Sequence, residues 1–465
     1  MNKKKKILFL TDDPRFSSGI ATISREILLN TVHKFDFVVV GGAMKHPEEG
    51  KIIDMNEAIR KETGVDDANV KIYPVSGYGT QELVRHLIMA ENPDIILHFT
   101  DPRYWTWLYQ MEHEIRQLIP ISYLTIWDSP PPPMYNKAYY RSCDLLMCIS
   151  KQTYGLVNKV LKGYEHEPRQ ITYVPHGLNE NTFYPIDSSM PEYQLVQERR
   201  KSYLKNNSEP DFVLLLNSRN IRRKQIPDVI MAFKLFVQKN SAKNAVLVLH
   251  TAPIDENGTN LFEVYEKLAP EINLVFSSNQ LSPQDMNILY NTSDVLINIS
   301  SNEGWGLSIT EARLVGKPII VNMTGGLQDQ VGLKVEIGDN EYRYITEEDY
   351  LDPEFHSNHT GKYKICDDYA SAIIPSNLSL QGSVPTPYIY DDRVKIEDVT
   401  DAIQYWYHMP KAAREILGTD ARESAIKVGH TAAQMSDRII SDIETCLENF
   451  KPRDKYTLIK TKNDH

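Results

Sequence analysis

The stretch VLINISSNEGWGLSITEARLVGKPIIV, residues 295–321, contains the pattern of one complete strand–helix–strand unit. The runs at its two ends are apolar on both faces, which is typical of strands that are covered on both sides in a parallel sheet. Between them, a loop with two glycines leads into a segment with helical spacing that begins near Leu307. The stretch therefore predicts a βαβ unit, with Glu303 before the helix start and Glu311 after it.

The same alternation continues on both sides of this stretch. Apolar runs that predict buried strands occupy 7–10, 35–40, 93–99, 121–127 and 143–150 in the first half, and 212–217, 245–250 and 273–276 in the second. Helical spacing follows Pro227, a residue favoured in the first turn of a helix. A chain of 465 residues is too long for one ordinary core. The predicted fold class is α/β, with two doubly wound Rossmann-like domains facing a cleft.

The domain boundary is predicted inside the polar stretch 179–210. This gives an N-terminal domain at 1–186 and a C-terminal domain at 187–428. Residues 333–386 show no clear period and are interpreted as an insertion in the C-terminal domain. A terminal amphipathic helix, about 429–450, is expected to pack back on the N-terminal domain.

The bulk composition is that of a globular protein, with 41% hydrophobic and 24% charged residues. No apolar run approaches the roughly 20 residues that cross a bilayer. The start MNKKKKILFL lacks the pattern of a signal peptide, so a cytoplasmic location is expected. The net charge of −11 argues against broad nucleic-acid binding, although a local basic groove is compatible with it.

The loop after the strand at 295–300 has the features of an anion-binding site. The first amides of a helix are free donors at the positive end of its dipole, so they can bind a group such as a diphosphate. Gly304 and Gly306 let the backbone approach a ligand closely. Glu303 and Glu311 are separated along such a ligand, so we expect them to grip hydroxyl groups at two places.

A second set of anion ligands follows the strand at 212–217, in NSRNIRRKQIPD. Arg219 and Lys224 lie five residues apart. One guanidinium and one ammonium group can neutralise a diphosphate and stabilise the charge of a leaving group. Arg222 and Arg223 are interpreted as a solvated basic turn.

These motifs together resemble the retaining GT-B glycosyltransferases of family four, the glycosyl transferases group 1 type. The resemblance is carried by SRNIRRK, LYNTSDVLINISSNEGWGLSITEARLVGKPII and TGGLQDQV in that order, with CDLLMCISKQTYGLV and YVPHGLNENTFYP upstream. It covers most of the chain outside 333–386. It implies the GT-B fold and the transfer of a sugar from a nucleotide-diphosphate sugar to an acceptor hydroxyl.

The resemblance also implies which residues bind the donor. They are Arg219, Lys224, Glu303, Gly304, Trp305, Gly306, Leu307, Glu311 and Gly19. Arg219 and Lys224 would hold the diphosphate, and Glu311 would hold the ribose hydroxyls. Glu303, with the amides that follow it, would hold the donor sugar and the β-phosphate. Gly19 lies in the first loop, which in this family borders the donor phosphate and the acceptor.

On the acceptor side, the family commonly has a histidine where this chain has Trp127 and Asp128. Asp128 is the candidate replacement, as an acceptor for sugar hydroxyls. Ser18 is expected to contribute a hydroxyl where other members use amides alone. For His176, in the turn PHG, a structural role and an acceptor-side role both stay open. The implied catalytic candidates are Glu303, Arg219, Lys224 and Asp128.

The implied activity is that of a metal-independent retaining glycosyltransferase without a cofactor, in which Arg and Lys take the part of a metal. No D-x-D motif stands at a strand end, and the cysteines show no metal-ligand spacing. Two alternatives stay open: a glycosyltransferase that modifies a polymer such as hydroxylated viral DNA, and a non-catalytic nucleotide-sugar-binding protein. The sugar, the nucleotide base and the acceptor are not disclosed by the sequence.

Overall fold

The computed structural model describes residues 3–455 and contains two large, mostly parallel sheets. The first sheet has, in spatial order, the strands Ile53–Asp54, Val70–Ser76, Phe35–Ala43, Lys5–Asp12, Ile95–Phe99, Ile121–Thr125, Leu145–Cys148 and Gln170–Tyr173. The pair at the first edge is antiparallel, and the other neighbours are parallel. Phe9 and Leu97, on central strands, are fully buried, as expected for strands covered on both faces.

The second sheet is parallel throughout its described strands. In spatial order they are Asn273–Ser277, Ala245–His250, Phe212–Asn217, Val295–Asn298, Ile319–Asn322 and Ala370–Ile373. All the strands predicted from apolar runs are present. The short strand Gln170–Tyr173 and the strand Val70–Ser76 were not predicted, because the first is only half-buried and the second carries Lys71 and Pro74.

Helices follow most of these strands and cover the sheets. In the first half of the chain they span Gly19–Thr31, Asn56–Thr63, Gln81–Glu91, Thr106–Gln110, Glu112–Ile115, Lys137–Arg141 and Lys151–Val160. In the second half they span Tyr193–Lys201, Ile226–Asn240, Leu261–Leu268, Pro283–Asn291, Leu307–Leu314, Ile396–His408, Lys411–Lys427 and Ala432–Asn449. The helix near Leu307 begins at the predicted residue.

Residues 174–211 connect the two sheets and contain no strand within the described chain. The last helix, Ala432–Asn449, returns to the first sheet. There Asp442 accepts hydrogen bonds from Gln170 at 3.1 Å and from Thr172 at 2.6 Å. The chain therefore crosses between the two sheets more than once.

The segment 333–386 is more regular than its sequence suggested, and the prediction of one insertion over that whole range is wrong. Its strand Ala370–Ile373 pairs with Ile319–Asn322 and belongs to the second sheet. Two antiparallel hairpins flank it, Lys334–Gly338 with Glu341–Tyr344 and Asn377–Gln381 with Ile389–Arg393. Most of their residues are exposed or only partly buried, so they show no continuous apolar run.

The first part of this segment packs on helix Lys151–Val160 of the N-terminal half. Lys159 Nζ donates to the carbonyl oxygens of Tyr350 at 2.7 Å and Phe355 at 2.5 Å. A Cβ added to Gly155 would lie 2.6 Å from the Tyr350 carbonyl oxygen, so a glycine is required for this close approach. The segment therefore ties the two halves together on the side of that helix.

The second hairpin contacts the proline-rich loop after strand Ile121–Thr125. Tyr390 donates its amide to the Pro130 carbonyl at 2.9 Å, and the Tyr135 hydroxyl donates to the Tyr388 carbonyl at 2.9 Å. This contact closes one side of the space between the carboxyl ends of the two sheets.

Candidate functional site

A charged cluster lies where the strand order of the second sheet reverses, between Phe212–Asn217 and Val295–Asn298. Ligands of open α/β sheets bind at such a point, beyond the carboxyl ends of the strands. Lys224 follows the first of these strands, Glu303 follows the second, and their side chains form an ion pair. The predicted candidates Lys224 and Glu303 are therefore brought together.

The carboxylate of Glu303 is buried and surrounded by donors. Arg223 Nη1 lies 3.5 Å from Glu303 Oε2, and the Ser300 hydroxyl donates to the same oxygen at 3.3 Å. Burial by itself would raise the pKa of Glu303, but the charges of Lys224 and Arg223 outweigh it and lower this pKa to about 2. Glu303 is therefore ionised at neutral pH.

The helix Leu307–Leu314 begins next to this cluster. Gly306 stands before it with φ 85°, a left-handed conformation that favours glycine. Among residues 3–455, the amides of Gly306 and Leu307 donate to no protein acceptor. Gly19 faces this helix start from the N-terminal half, where an added Cβ would lie 3.5 Å from Leu307 Cδ1. The free amides and the helix dipole suit an anion.

Glu311 lies on the same helix and makes a separate set of contacts. The Tyr290 hydroxyl donates to Glu311 Oε2, and Asn217 Nδ2 donates to the same oxygen at 3.4 Å. Burial raises the pKa of Glu311 to about 7, although both hydrogen bonds oppose the rise. Glu303 and Glu311 are thus in different environments. The prediction that they bind hydroxyl groups at two places on one ligand is compatible with this difference.

Asp128 approaches the cluster from the N-terminal half. Burial raises its pKa, the positive charge of Arg223 opposes this rise, and the negative charge of Glu303 adds to it. Ser129 links the two halves directly, because its hydroxyl donates to Asp128 Oδ1 at 2.9 Å and accepts from Asn302 Nδ2 at 2.9 Å. The structure thus places the predicted Asp128 on the cleft face opposite Glu303.

Ser18 and Trp127 also lie at the carboxyl edge of the first sheet. Ser18 caps helix Gly19–Thr31 by accepting from the Ala21 amide at 3.1 Å, and its hydroxyl donates to Asp12 Oδ2 at 3.1 Å. Trp127 Nε1 donates to the Ser129 carbonyl, and its ring packs edge-on against Tyr135 at 5.5 Å. Their acceptor-side roles stay predictions.

Of the two arginines in this turn, Arg223 lies beside Glu303 and Arg219 does not. Arg219 is 62% exposed and pairs with Asp255 at 2.9 Å, so it does not reach the cluster. Its role at a diphosphate stays a prediction and requires the guanidinium to leave Asp255. The interpretation of Arg223 as part of a solvated turn is wrong, because this residue contacts both Glu303 and the Asn302 carbonyl.

Two predicted side chains are buried in the junction between the sheets. His176 lies between Phe99, with ring centroids 5.5 Å apart, and Trp305, at 6.2 Å, and burial lowers its pKa to about 3. Trp305 is 2% exposed and donates from Nε1 to the Thr310 hydroxyl at 2.9 Å. These contacts favour the structural role of His176, and its acceptor-side role stays a prediction. Trp305 can reach a donor only through its backbone.

The space around Gly304 is filled by protein. A Cβ there would lie 3.2 Å from the Ile126 carbonyl oxygen and 3.3 Å from Ile149 Cδ1, both in the N-terminal half. The glycine therefore allows the loop to approach the other sheet, whereas the sequence had suggested an approach to a ligand. That reason was invisible in the sequence, since the contact joins residues more than a hundred positions apart.

The second hairpin is part of the site, although no site role was predicted for its residues. Asn302, next to Glu303, donates its side-chain amide to the Tyr390 carbonyl. Asp392 is fully buried on the same strand and accepts from the Thr324 hydroxyl at 2.6 Å. The mixed aromatic and charged residues of PYIYDDR gave no reason to place this strand against the loop that carries Glu303.

Among residues 3–455, no group of three or more His, Cys, Asp and Glu side chains is arranged to hold a metal ion. No helix in the same range is long and apolar enough to cross a membrane.

Residues 197–341, which contain Lys224, Glu303 and Glu311, match the family described as glycosyl transferases group 1. This matched stretch is called the group 1 region below. The match confirms the resemblance noted in the sequence. Two curated relatives share this similarity. Mannosylfructose-phosphate synthase of Agrobacterium fabrum is 22% identical over 191 residues, and alpha-monoglucosyldiacylglycerol synthase of Acholeplasma laidlawii is 26% identical over 187 residues.

The aligned part is 40% of this chain in both cases, and 39% and 43% of the two relatives. The chain therefore spans less than half the length of the curated relatives that it matches. Outside the aligned part, these relatives give no information about this chain.

Solved structures cover nearly the whole chain. Sucrose-phosphate synthase from Thermosynechococcus elongatus has a TM-score of 0.66 at 14% identity and covers 96% of this chain and 100% of its own. Anabaena HepE in complex with UDP and glucose has a TM-score of 0.61 at 14% identity, covering 95% and 100%. At such low identity the likeness shows the fold. It confirms the predicted GT-B arrangement around the group 1 region.

Proposed function

We propose that the protein is a glycosyltransferase that moves a sugar from a nucleotide-diphosphate sugar to an acceptor hydroxyl, with retention of configuration and without a metal. The observation that carries the proposal is the buried Glu303–Lys224–Arg223 cluster beside the free amides of Gly306 and Leu307. Such an arrangement combines a carboxylate for sugar hydroxyls with fixed positive charge for a diphosphate.

The mechanism follows from the charges that develop on the sugar and on the diphosphate during the reaction. When the bond between the sugar and the diphosphate breaks, negative charge builds on the departing phosphate and positive charge on the sugar. The negative charge on the phosphate would be stabilised by Lys224, Arg223 and the amides at the helix start. The ionised Glu303 would stabilise the positive charge on the sugar and orient the sugar.

No side chain is assigned as a nucleophile. For retention, we propose that the acceptor hydroxyl attacks from the face that the diphosphate leaves, and that the departing phosphate accepts the hydroxyl proton. Asp128, across the cleft from Glu303, would orient a hydroxyl of the sugar or the acceptor. Burial of the site by the hairpin 377–393 excludes water that would otherwise hydrolyse the donor.

The test is donor use by the purified full-length chain. A panel of UDP-, GDP- and ADP-sugars is screened for stabilisation of the folded state and then for release of the nucleoside diphosphate, with and without EDTA. We expect release with one donor, unaffected by EDTA and about a hundredfold slower in Glu303→Gln. Binding without release or transfer to any acceptor would favour the non-catalytic alternative. The anomeric configuration of the product decides between retention and inversion.

A further inference from the structure

Glu311 is held by two residues to which the sequence analysis gave no role. The Tyr290 hydroxyl donates to Glu311 Oε2, and Asn217 Nδ2 donates to that oxygen at 3.4 Å. Asn217 Nδ2 also donates to the Tyr290 hydroxyl oxygen at 2.8 Å. Because a phenol has one hydrogen, donation by Asn217 leaves the Tyr290 hydrogen directed at the carboxylate. The three side chains form one network with a defined direction.

The network uses one oxygen of the carboxylate and leaves the other available. Glu311 Oε2 receives two hydrogen bonds, which match its two lone pairs. Glu311 Oε1 receives none from residues 3–455, and it is not among the buried polar atoms that lack a partner. Oε1 therefore keeps some exposure to solvent and is the oxygen available to a ligand hydroxyl.

Each member of the network stands on a different rigid element. Asn217 ends strand Phe212–Asn217, Tyr290 lies in helix Pro283–Asn291, and Glu311 lies in helix Leu307–Leu314. The Tyr290 ring is fully buried and packs edge-on against Phe183 at 6.0 Å. Side chains locked by packing hold a binding group more accurately than side chains on loops.

We propose that Tyr290 and Asn217 are positioning residues that turn Glu311 into a one-oxygen acceptor for the ribose of the donor, and that they set its preference for ribonucleotides over 2′-deoxyribonucleotides. This inference rests on the proposed function. A site built to accept a hydroxyl hydrogen rejects a ligand that lacks the hydroxyl, because its polar group is then left unpaired.

The network also controls the charge on Glu311. Burial raises the pKa of this carboxyl to about 7, and the two donors hold it from rising further. Other charged groups on or against its helix face elsewhere: Arg313 bonds to His430 and Ser424, and Arg422 bonds to the Leu314 carbonyl. Loss of the Tyr290 hydroxyl therefore shifts the pH at which Glu311 ionises to a higher value.

The test is Tyr290→Phe, which keeps the ring and removes the hydroxyl. Binding of UDP, GDP and ADP, and of their 2′-deoxy forms, is measured by calorimetry on both sides of neutral pH. We expect the preferred ribonucleotide to bind about tenfold more weakly to the variant, with a smaller ratio between ribo and deoxy forms. The midpoint of the pH dependence should move upward, which a merely structural role would not produce.

Tyr265→Phe is the matched control, because the Tyr265 hydroxyl donates to the Ile272 carbonyl in the same domain and away from Glu311. This control should bind the nucleotides with the same affinity and the same pH dependence as the original chain. If Tyr290→Phe reduces the folded fraction, Asn217→Ala removes a donor without changing the buried ring, and it should shift affinity and pH midpoint in the same direction.

Equal affinity, an unchanged ribo-to-deoxy ratio and an unchanged pH midpoint in a folded Tyr290→Phe variant would overturn the inference and leave the proposed function intact. Failure of the original chain to bind any of the three nucleoside diphosphates would instead overturn the donor class, and this inference with it. The two failures are therefore distinguishable.

Discussion

Lys224 and Glu303, which lie 79 residues apart in the sequence, form an ion pair in the buried space between the two sheets. Their side chains are 12% and 10% exposed, so neither charge is fully solvated. Arg223 lies on the other side of the carboxylate. The charge balance of the candidate site thus depends on three residues from two separate loops.

This pairing predicts strong energetic coupling. Removal of one member leaves an unpaired buried charge, so Lys224→Met and Glu303→Gln should each lower the free energy of unfolding by about 3 kcal/mol. The double variant should lose less than the sum, by about 1–3 kcal/mol. Urea unfolding of the original chain, the two single variants and the double variant gives the coupling free energy of this double-mutant cycle. Simple additivity would show that the pair is not coupled in solution.

The same carboxylate predicts a pH dependence of stability. The pKa of Glu303 is lowered from 4.5 to about 2 in the folded state. Its contribution is therefore present above pH 4.5 and is lost as the pH falls toward 2. Glu303→Gln should make the free energy of unfolding less dependent on pH between about pH 4.5 and 2. Glu444→Gln, at an exposed position on the last helix, should leave it as in the original chain.

Glu311 should behave in the opposite way. Its folded-state pKa is raised from 4.5 to about 7, so the folded chain loses stability as the pH rises through that interval. Glu311→Gln removes the penalty and should stabilise the fold by about 1–2 kcal/mol at pH 8, while weakening nucleotide binding. Thermal unfolding at several pH values measures the difference in stability between this variant and the original chain. A destabilised variant at pH 8 would contradict the raised pKa.

Two neighbouring arginines allow a matched comparison of charge and position. Arg223 contacts Glu303 and the Asn302 carbonyl, whereas Arg222 is exposed. Arg223→Ala should lower donor turnover by about tenfold to a hundredfold, because one charge-assisted contact is worth roughly 1.5–3 kcal/mol. Arg222→Ala should stay within about twofold of the original rate. Similar losses in both would indicate general attraction of the donor by basic charge.

The contact between the two halves predicts an effect on protease sensitivity. Lys159→Met removes two hydrogen bonds to the carbonyls of Tyr350 and Phe355, so residues 347–361 should detach more often. Limited proteolysis should then cut this segment about fivefold to tenfold faster, as expected for a loss of about 1 kcal/mol. The control is Lys162→Met, three residues further on and exposed. Equal cutting rates would mean that these bonds do not hold the segment.

Much of the fold could be read from local patterns. The strands around Leu97 and Leu296 are buried on both faces, so they appear as short apolar runs, and the helix at Leu307 follows its glycines as predicted. Strand Ala370–Ile373 was missed because two of its four residues are only partly buried. Its place in the second sheet depends on pairing with Ile319–Asn322, which local pattern does not encode.

The same division holds within the candidate site. Lys224 and Glu303 were predicted from loops that follow strands, and Asp128 and the role of Glu311 from the resemblance. The contact of Arg223 with Glu303 was not predicted, since neighbouring residues of one turn point in different directions without any change of composition. Nor could the sequence show that Trp305 and His176 fill the junction between the halves.

The sequence by itself therefore determined the two parallel sheets, the helix start at Leu307 and the set of charged residues available to a donor, because these follow from apolar periodicity and from residue order near strand ends. The tertiary structure alone decided which charges meet and which carboxylate is ionised. Glu303 is ionised at neutral pH because Lys224 and Arg223 approach it, whereas burial raises the pKa of Glu311 to about 7 against the opposing hydrogen bonds from Tyr290 and Asn217. Those distances exist only after remote segments have packed together.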